Sequence, residues 1–156
     1  MRMVGLVLVA LLALVAPAAI GAPVFDDPKG FVQYAYTPYG TGQFPQDPFE
    51  LYSPSLLELW ETMEARTPEG ELGAVDFDPL INAQDYELDD LVVADPAVEG
   101  DQAIVIVTFT NFGEPQEMRF TLVRRAEGWK IDDIEALSGE YPWRLSEILA
   151  SDPLLN

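Results

Sequence analysis

Four stretches carry the fold: Leu91-Val92-Val93; Ala103-Ile104-Val105-Ile106-Val107-Thr108-Phe109-Thr110; Glu117-Met118-Arg119-Phe120-Thr121-Leu122-Val123-Arg124-Arg125; and Trp129-Lys130-Ile131-Asp132-Asp133-Ile134. Each is rich in β-branched or aromatic residues and is bounded by turn formers, so each is predicted to be a strand. The connections Glu99-Gly100-Asp101, Asn111 to Pro115 and Ala126-Glu127-Gly128 are short enough for an antiparallel meander. In the third stretch Met118, Phe120 and Leu122 alternate with Arg119, Thr121 and Val123, which gives one buried and one largely wet face. Ile104 to Val107 is apolar on both faces, predicting a central strand covered on each side. In the last stretch strict alternation puts Trp129, Ile131 and Asp133 on one face and Lys130, Asp132 and Ile134 on the other.

Upstream the pattern changes to caps followed by proline. Asp27-Pro28 opens a helix predicted to run to about Tyr36, and Ser53-Pro54 opens another that ends before Pro68. Leu56, Leu59, Trp60 and Met63 form the apolar stripe of the second helix. Between them, Tyr39 to Pro48 is rich in Pro and Gly and reads as loop. Asp76-Phe77-Asp78-Pro79 predicts one or two further helical turns through Leu80 to Asp85. A last helix follows Tyr141-Pro142, with Leu145, Ile148 and Leu149 inward. Helices first and a meander afterwards is an α+β order: helices on one face of a curved antiparallel sheet of four strands or slightly more, with a short C-terminal helix. The concave side is then filled by helices or by a ligand.

The chain has 156 residues, eight Lys and Arg against 27 Asp and Glu, and neither Cys nor His. That length suits one domain, 23–156, after a cleaved segment 1–22. The leader reading rests on Arg2, the uncharged run Val4 to Val15, and the small residues of Ala16-Pro17-Ala18 and Ala19-Ile20-Gly21. The run is too short for a membrane anchor, which needs roughly 20 apolar residues. Removing 1–22 takes away Arg2 and no acid, so the net charge moves from −19 to −20. Nucleic acid is thereby disfavoured as a partner, since binding phosphates needs clustered Lys and Arg and Arg119, Arg124 and Arg125 are the sole basic cluster. Without Cys or His there are no disulfides, thiol nucleophiles, His-based triads or His/Cys metal sites, and no cofactor is implied.

Two constellations remain. Asp76, Asp78 and Asp85, with Asn82 and Gln84, offer oxygen ligands for a hard cation, although the helix-loop-helix calcium pattern fails at Leu80 and Ile81. Alternatively Asp78 caps the turn opened by Pro79 while Gln84 and Asp85 bond backbone. The second constellation is Trp129 and Asp133 on the last strand, with Asp132 beside them, facing Tyr36 and Tyr39 from the first helix; together they would line a ligand pocket. A core role for Trp129, and an exposed pair between Lys130 and an outward Asp, stand beside that reading.

Phe31 to Tyr39, Asp76 to Asp85, Gly128 to Ile134 and Trp143 to Leu149 resemble an exported bacterial family of unknown function. Membership implies the cone-shaped α+β fold shared with ketosteroid isomerase, scytalone dehydratase and nuclear transport factor two, and a periplasmic rather than extracellular location. The leading expectation is an exported, soluble, non-catalytic binding module whose partner is a small molecule or another envelope protein. The alternative is an acid-base enzyme, an isomerase or dehydratase, using a pocket Asp and a Tyr. A dimer through the outer sheet face is a third arrangement, to which Thr121, Val123 and Arg125 lend modest apolar character.

Overall fold

The computed structural model describes residues 23–151, so the predicted leader 1–22 lies outside the described residues. Helix α1 spans Pro28–Tyr36 and α2 spans Pro54–Arg66; strands follow as β1 Leu88–Val93, β2 Ala97–Glu99, β3 Gln102–Asn111, β4 Glu114–Arg125, β5 Gly128–Ala136 and β6 Trp143–Arg144, and α3 Leu145–Ala150 is the last element among the described residues. The fold is α+β, with an antiparallel sheet in the order β1-β3-β4-β5-β6 and β2 on the same edge of β3 as β1. Among the described residues the sheet has six strands, the four expected from sequence and two more. The two additional strands are short: β2 resumes the edge pairing after Pro96, which has no N–H to give the ladder, and β6 pairs only at Arg144 and Trp143.

Both N-terminal helices begin as their caps dictate. The Asp27 carboxylate accepts from Lys29 N and Gly30 N, and Ser53 Oγ accepts from Leu56 N. Ser53, wholly buried, also donates through Oγ to Asp132 and through its backbone N to Ile131 O, fastening the start of α2 to β5. The core lies between the helices and one sheet face, where Val105, Val107, Phe109, Met118, Phe120, Leu122, Ile131 and Ile134 meet Phe31, Val32, Tyr36, Leu56, Leu145 and Leu149. The opposite face is not covered: Ile104 is 44% exposed, and β3 lies next to the edge rather than at the centre. Its β-branched residues there serve the extended backbone instead of a second core.

The β3–β4 hairpin turns through Phe112 and Gly113, both at positive φ (48° and 80°), the geometry that matches strand twist. Gly128 opens β5 at φ 91°, and a Cβ there would stand 2.8 Å from Phe25 O, so only glycine admits the N-terminal segment at this point.

Two further expectations are corrected. Residues 80–85 form no helix: Asp78 and Ala83 instead close a tight turn by a backbone bond of 2.9 Å, with Asn82 at φ 55°. Strict alternation fails in β5, because a bulge lies where Thr121 pairs with Asp133 but Leu122 pairs with Ile131. The extra residue keeps Trp129 and Ile131 buried, brings Ile134 and Ala136 into the core after them, and takes Asp133 off that face.

Candidate functional site

The Pro/Gly-rich connection after α1 is more ordered than its composition predicts. It contains two 3-10 turns, Tyr39–Thr41 and Pro48–Leu51, and Asp47 caps the second by accepting from Phe49 N at 3.1 Å. Tyr39 is buried, whereas Phe44 and Phe49 are 44% and 41% exposed. Between this connection, the start of α2 and the 77–79 turn lies a cleft of about 260 Å³, walled by Phe44, Phe49, Tyr52, Trp60 and Phe77, with Asp78 in its lining.

The walls are packed rings. Tyr52 and Trp60 lie parallel at 6.4 Å, and Phe49 stands edge-on to them at 6.0 and 5.5 Å. On the other side Tyr86 sits edge-on between Phe44 at 4.9 Å and Tyr39 at 5.1 Å. Trp60 Nε1 and Tyr86 Oη are buried without a hydrogen-bond partner among the described residues, so this aromatic group has unmet polar capacity.

Asp78 is fixed from behind. Its Oδ2 accepts from Tyr39 Oη at 2.5 Å and its Oδ1 from Leu80 N at 2.9 Å, while Tyr36 Oη donates to Leu80 O at 2.6 Å. Burial raises the Asp78 carboxyl above its ordinary value of 3.8, against the lowering pull of the Tyr39 hydroxyl and the Leu80 amide. Burial first, and then the Asp78 charge, raise Tyr36, Tyr39 and Tyr52, so these hydroxyls remain donors. Among the described residues no Lys or Arg pairs with Asp78; the ion pairs join Lys29 to Asp95, Arg119 to Glu135, Arg124 to Asp26, and Arg144 to Glu135 and Asp133.

Of the four pocket residues expected from sequence, Tyr36 and Tyr39 come together with ring centroids 5.8 Å apart, while Trp129 and Asp133 take up hydrogen bonds with other partners. Tyr36 and Tyr39 stand behind the Asp78 turn. Trp129 is buried elsewhere, its Nε1 donating to Asp26 O at 3.0 Å and its ring facing Arg124 at 5.8 Å. Asp133, displaced by the bulge, accepts from Ser146 N at 3.0 Å and Ser146 Oγ at 2.6 Å, with Arg144 Nε at 3.9 Å. It anchors the first turn of α3, which leaves the acid-base pairing of Asp133 with a tyrosine without geometric support.

Asp76, Asp78 and Asp85 do not converge on a cation either. Asp76 accepts from Gln84 Nε2 through its carbonyl (3.1 Å) and its carboxylate (3.2 Å), Asp85 accepts from Tyr86 N at 2.8 Å, and Asp78 takes the bonds given above. Among the described residues no group of three or more acidic side chains could hold a metal ion. Also among these residues, no helix is long and apolar enough to cross a membrane.

Sequence reasoning passed over Phe44, Phe49, Tyr52 and Phe77 and assigned Trp60 to core. The available signal was composition: large aromatics interleaved with Pro and Gly at positions outside any helical or strand periodicity.

No family model and no curated protein sequence matches the chain. Among solved structures, a chain of the type VI effector-immunity complex Tae3-Tai3 from Ralstonia pickettii is similar, with TM-score 0.50 and 21% identity over 75% of this chain and 99% of that one. A phospholipid-binding protein from Ralstonia solanacearum, solved with a phospholipid, gives TM-score 0.35 and 20% identity over 79% of this chain and 59% of that one. The first of these likenesses is one of fold; it agrees with an α+β arrangement of helices on an antiparallel sheet.

Proposed function

We propose that the protein is an exported, non-catalytic binding module that holds a small molecule in the aromatic cleft beside Asp78. The observation that carries this reading is the cleft itself: rings ranging from the buried Tyr52 to the exposed Phe44 and Phe49 line it together with a partly desolvated carboxylate that has no cationic partner among the described residues. Concave, mostly apolar sites with one placed polar group and a perturbed carboxyl are where ligands bind. At about 260 Å³ the cleft is below the ~300–1,000 Å³ of drug-sized sites, which favours a small ligand or one group of a larger one. Export rests on the leader pattern of residues 1–22, and a periplasmic location on the family resemblance. The cone-shaped fold of that family belongs to the same reading, supported by the four resembling stretches and by helices covering one sheet face.

The test is native mass spectrometry of the protein purified gently from its own compartment, compared with its denatured mass. A reproducible extra mass that is lost on denaturation and absent from Trp60→Leu is expected. A bare mass, together with an unchanged Trp60 environment across a screen of small polar and ionic ligands, would sink the reading. A co-eluting protein in place of a small mass would move the function to an envelope partner.

A further inference from the structure

Resting on the cleft reading, we infer that the ligand carries a methylated ammonium group, seated against the aromatic wall with the Asp78 carboxylate as its counter-ion. The first argument is charge. A carboxylate taken out of water is stabilised by donors and by an opposite charge. Asp78 has its donors in Tyr39 and Leu80 but lacks the charge. Among the described residues no cation reaches Asp78: Lys29, Arg119, Arg124 and Arg144 face other acids, Arg66 donates to Leu149 O and Lys130 to Glu50 O, and Arg125 is exposed at the end of β4, where it pairs with Gly128 of β5.

The second argument is the wall. Aromatic faces attract cations through the ring quadrupole, most strongly when water is displaced, and Phe44, Phe49 and Trp60 bring such surface beside Asp78. Other ligand classes meet specific obstacles. An anion would approach a carboxylate in a chain of net charge −19. A neutral apolar ligand would desolvate Asp78 further and give nothing back. A divalent metal needs six to eight oxygen ligands for Ca²⁺ or six for Mg²⁺, and Asp78 is the one carboxylate in the cleft lining. A primary ammonium has three N–H donors to satisfy, whereas the methyl surface of a methylated ammonium matches walls made of rings.

The test is calorimetric titration of the purified protein with choline and with its neutral isostere 3,3-dimethylbutan-1-ol, which has the same shape without the charge. Choline is expected to bind at least about tenfold more tightly. Asp78→Asn, checked for an intact fold by circular dichroism, should abolish that preference while still admitting the isostere. Trp60→Leu should weaken both. Equal binding of the two probes to the wild type, or a preference that survives in Asp78→Asn, would overturn the ammonium assignment and leave the cleft reading in place. Binding of neither probe at millimolar concentration would overturn the assignment, and the native mass would then decide whether the cleft reading falls with it.

Discussion

Asp78 and Asp133 are both partly buried and both hydrogen-bonded, the first at a turn and the second at a strand bulge, yet their surroundings are opposite. Asp133 is met by the Ser146 hydroxyl and amide and has Arg144 within 3.9 Å, so its charge is answered by its own chain. Asp78 is met by one tyrosine and one amide, with rings in place of a cation. The difference separates an acid whose work is finished within the fold from one that still lacks a counter-charge. A buried charge of the first kind holds structure, and one of the second kind weakens the fold until something arrives.

The contrast is broken most directly at Asp133. Asp133→Ala should destabilise the protein by about 2–4 kcal/mol, since it strands Ser146 and unties the first turn of α3. Urea unfolding measures this, and a loss under about 1 kcal/mol would remove Asp133 from the structural class. Tyr39→Phe should follow at about 1–3 kcal/mol, because it deletes a donor to a desolvated carboxylate while keeping the ring against Tyr86.

Asp78→Asn is the sharpest comparison, because its sign is reversed. A carboxyl whose pKa is raised on folding contributes stability below its ordinary value of 3.8, and that contribution is lost as pH rises through the folded-state value. The titratable groups coupled to Asp78, Tyr36, Tyr39 and Tyr52, stay protonated across this window. The stability of the wild type minus that of Asp78→Asn should therefore fall as pH is raised from below 4 toward 7, with the variant at least as stable at neutral pH. A difference independent of pH, or one that grows with pH, would place Asp78 with Asp133. The smallest effect belongs to Phe49→Ala: with the ring 41% exposed, stability should change by no more than about 1 kcal/mol, while occupation of the cleft, followed by Trp60 fluorescence, should weaken.

Local rules made much of this legible. The α1 start at Asp27-Pro28 and the α2 start at Ser53-Pro54 follow from caps whose oxygens sit beside their own amides, and the cores of β3, β4 and β5 follow from β-branched and aromatic runs. The turn beginning at Asp78 was legible as a cap and as a candidate cation ligand, but not as part of an aromatic cleft. Its Asx bond to Leu80 is local, whereas the Tyr39 hydroxyl that completes it comes from 39 residues away. The same holds for the cleft, whose walls are drawn from three separated segments.

By itself the sequence determined the α+β order, the caps, the strand runs and the absence of Cys and His chemistry, because each of these depends on neighbours within a few residues. Tertiary structure decided which acid is answered and which is not. A one-residue bulge in β5, favoured by packing Ile131 and Ile134 into the same core, carried Asp133 away to Ser146. The folding of the 37–53 connection over the 77–79 turn surrounded Asp78 with rings instead. Period-two alternation has no means of encoding a single inserted residue, and the charge environment of a carboxylate depends on distances that no local pattern contains.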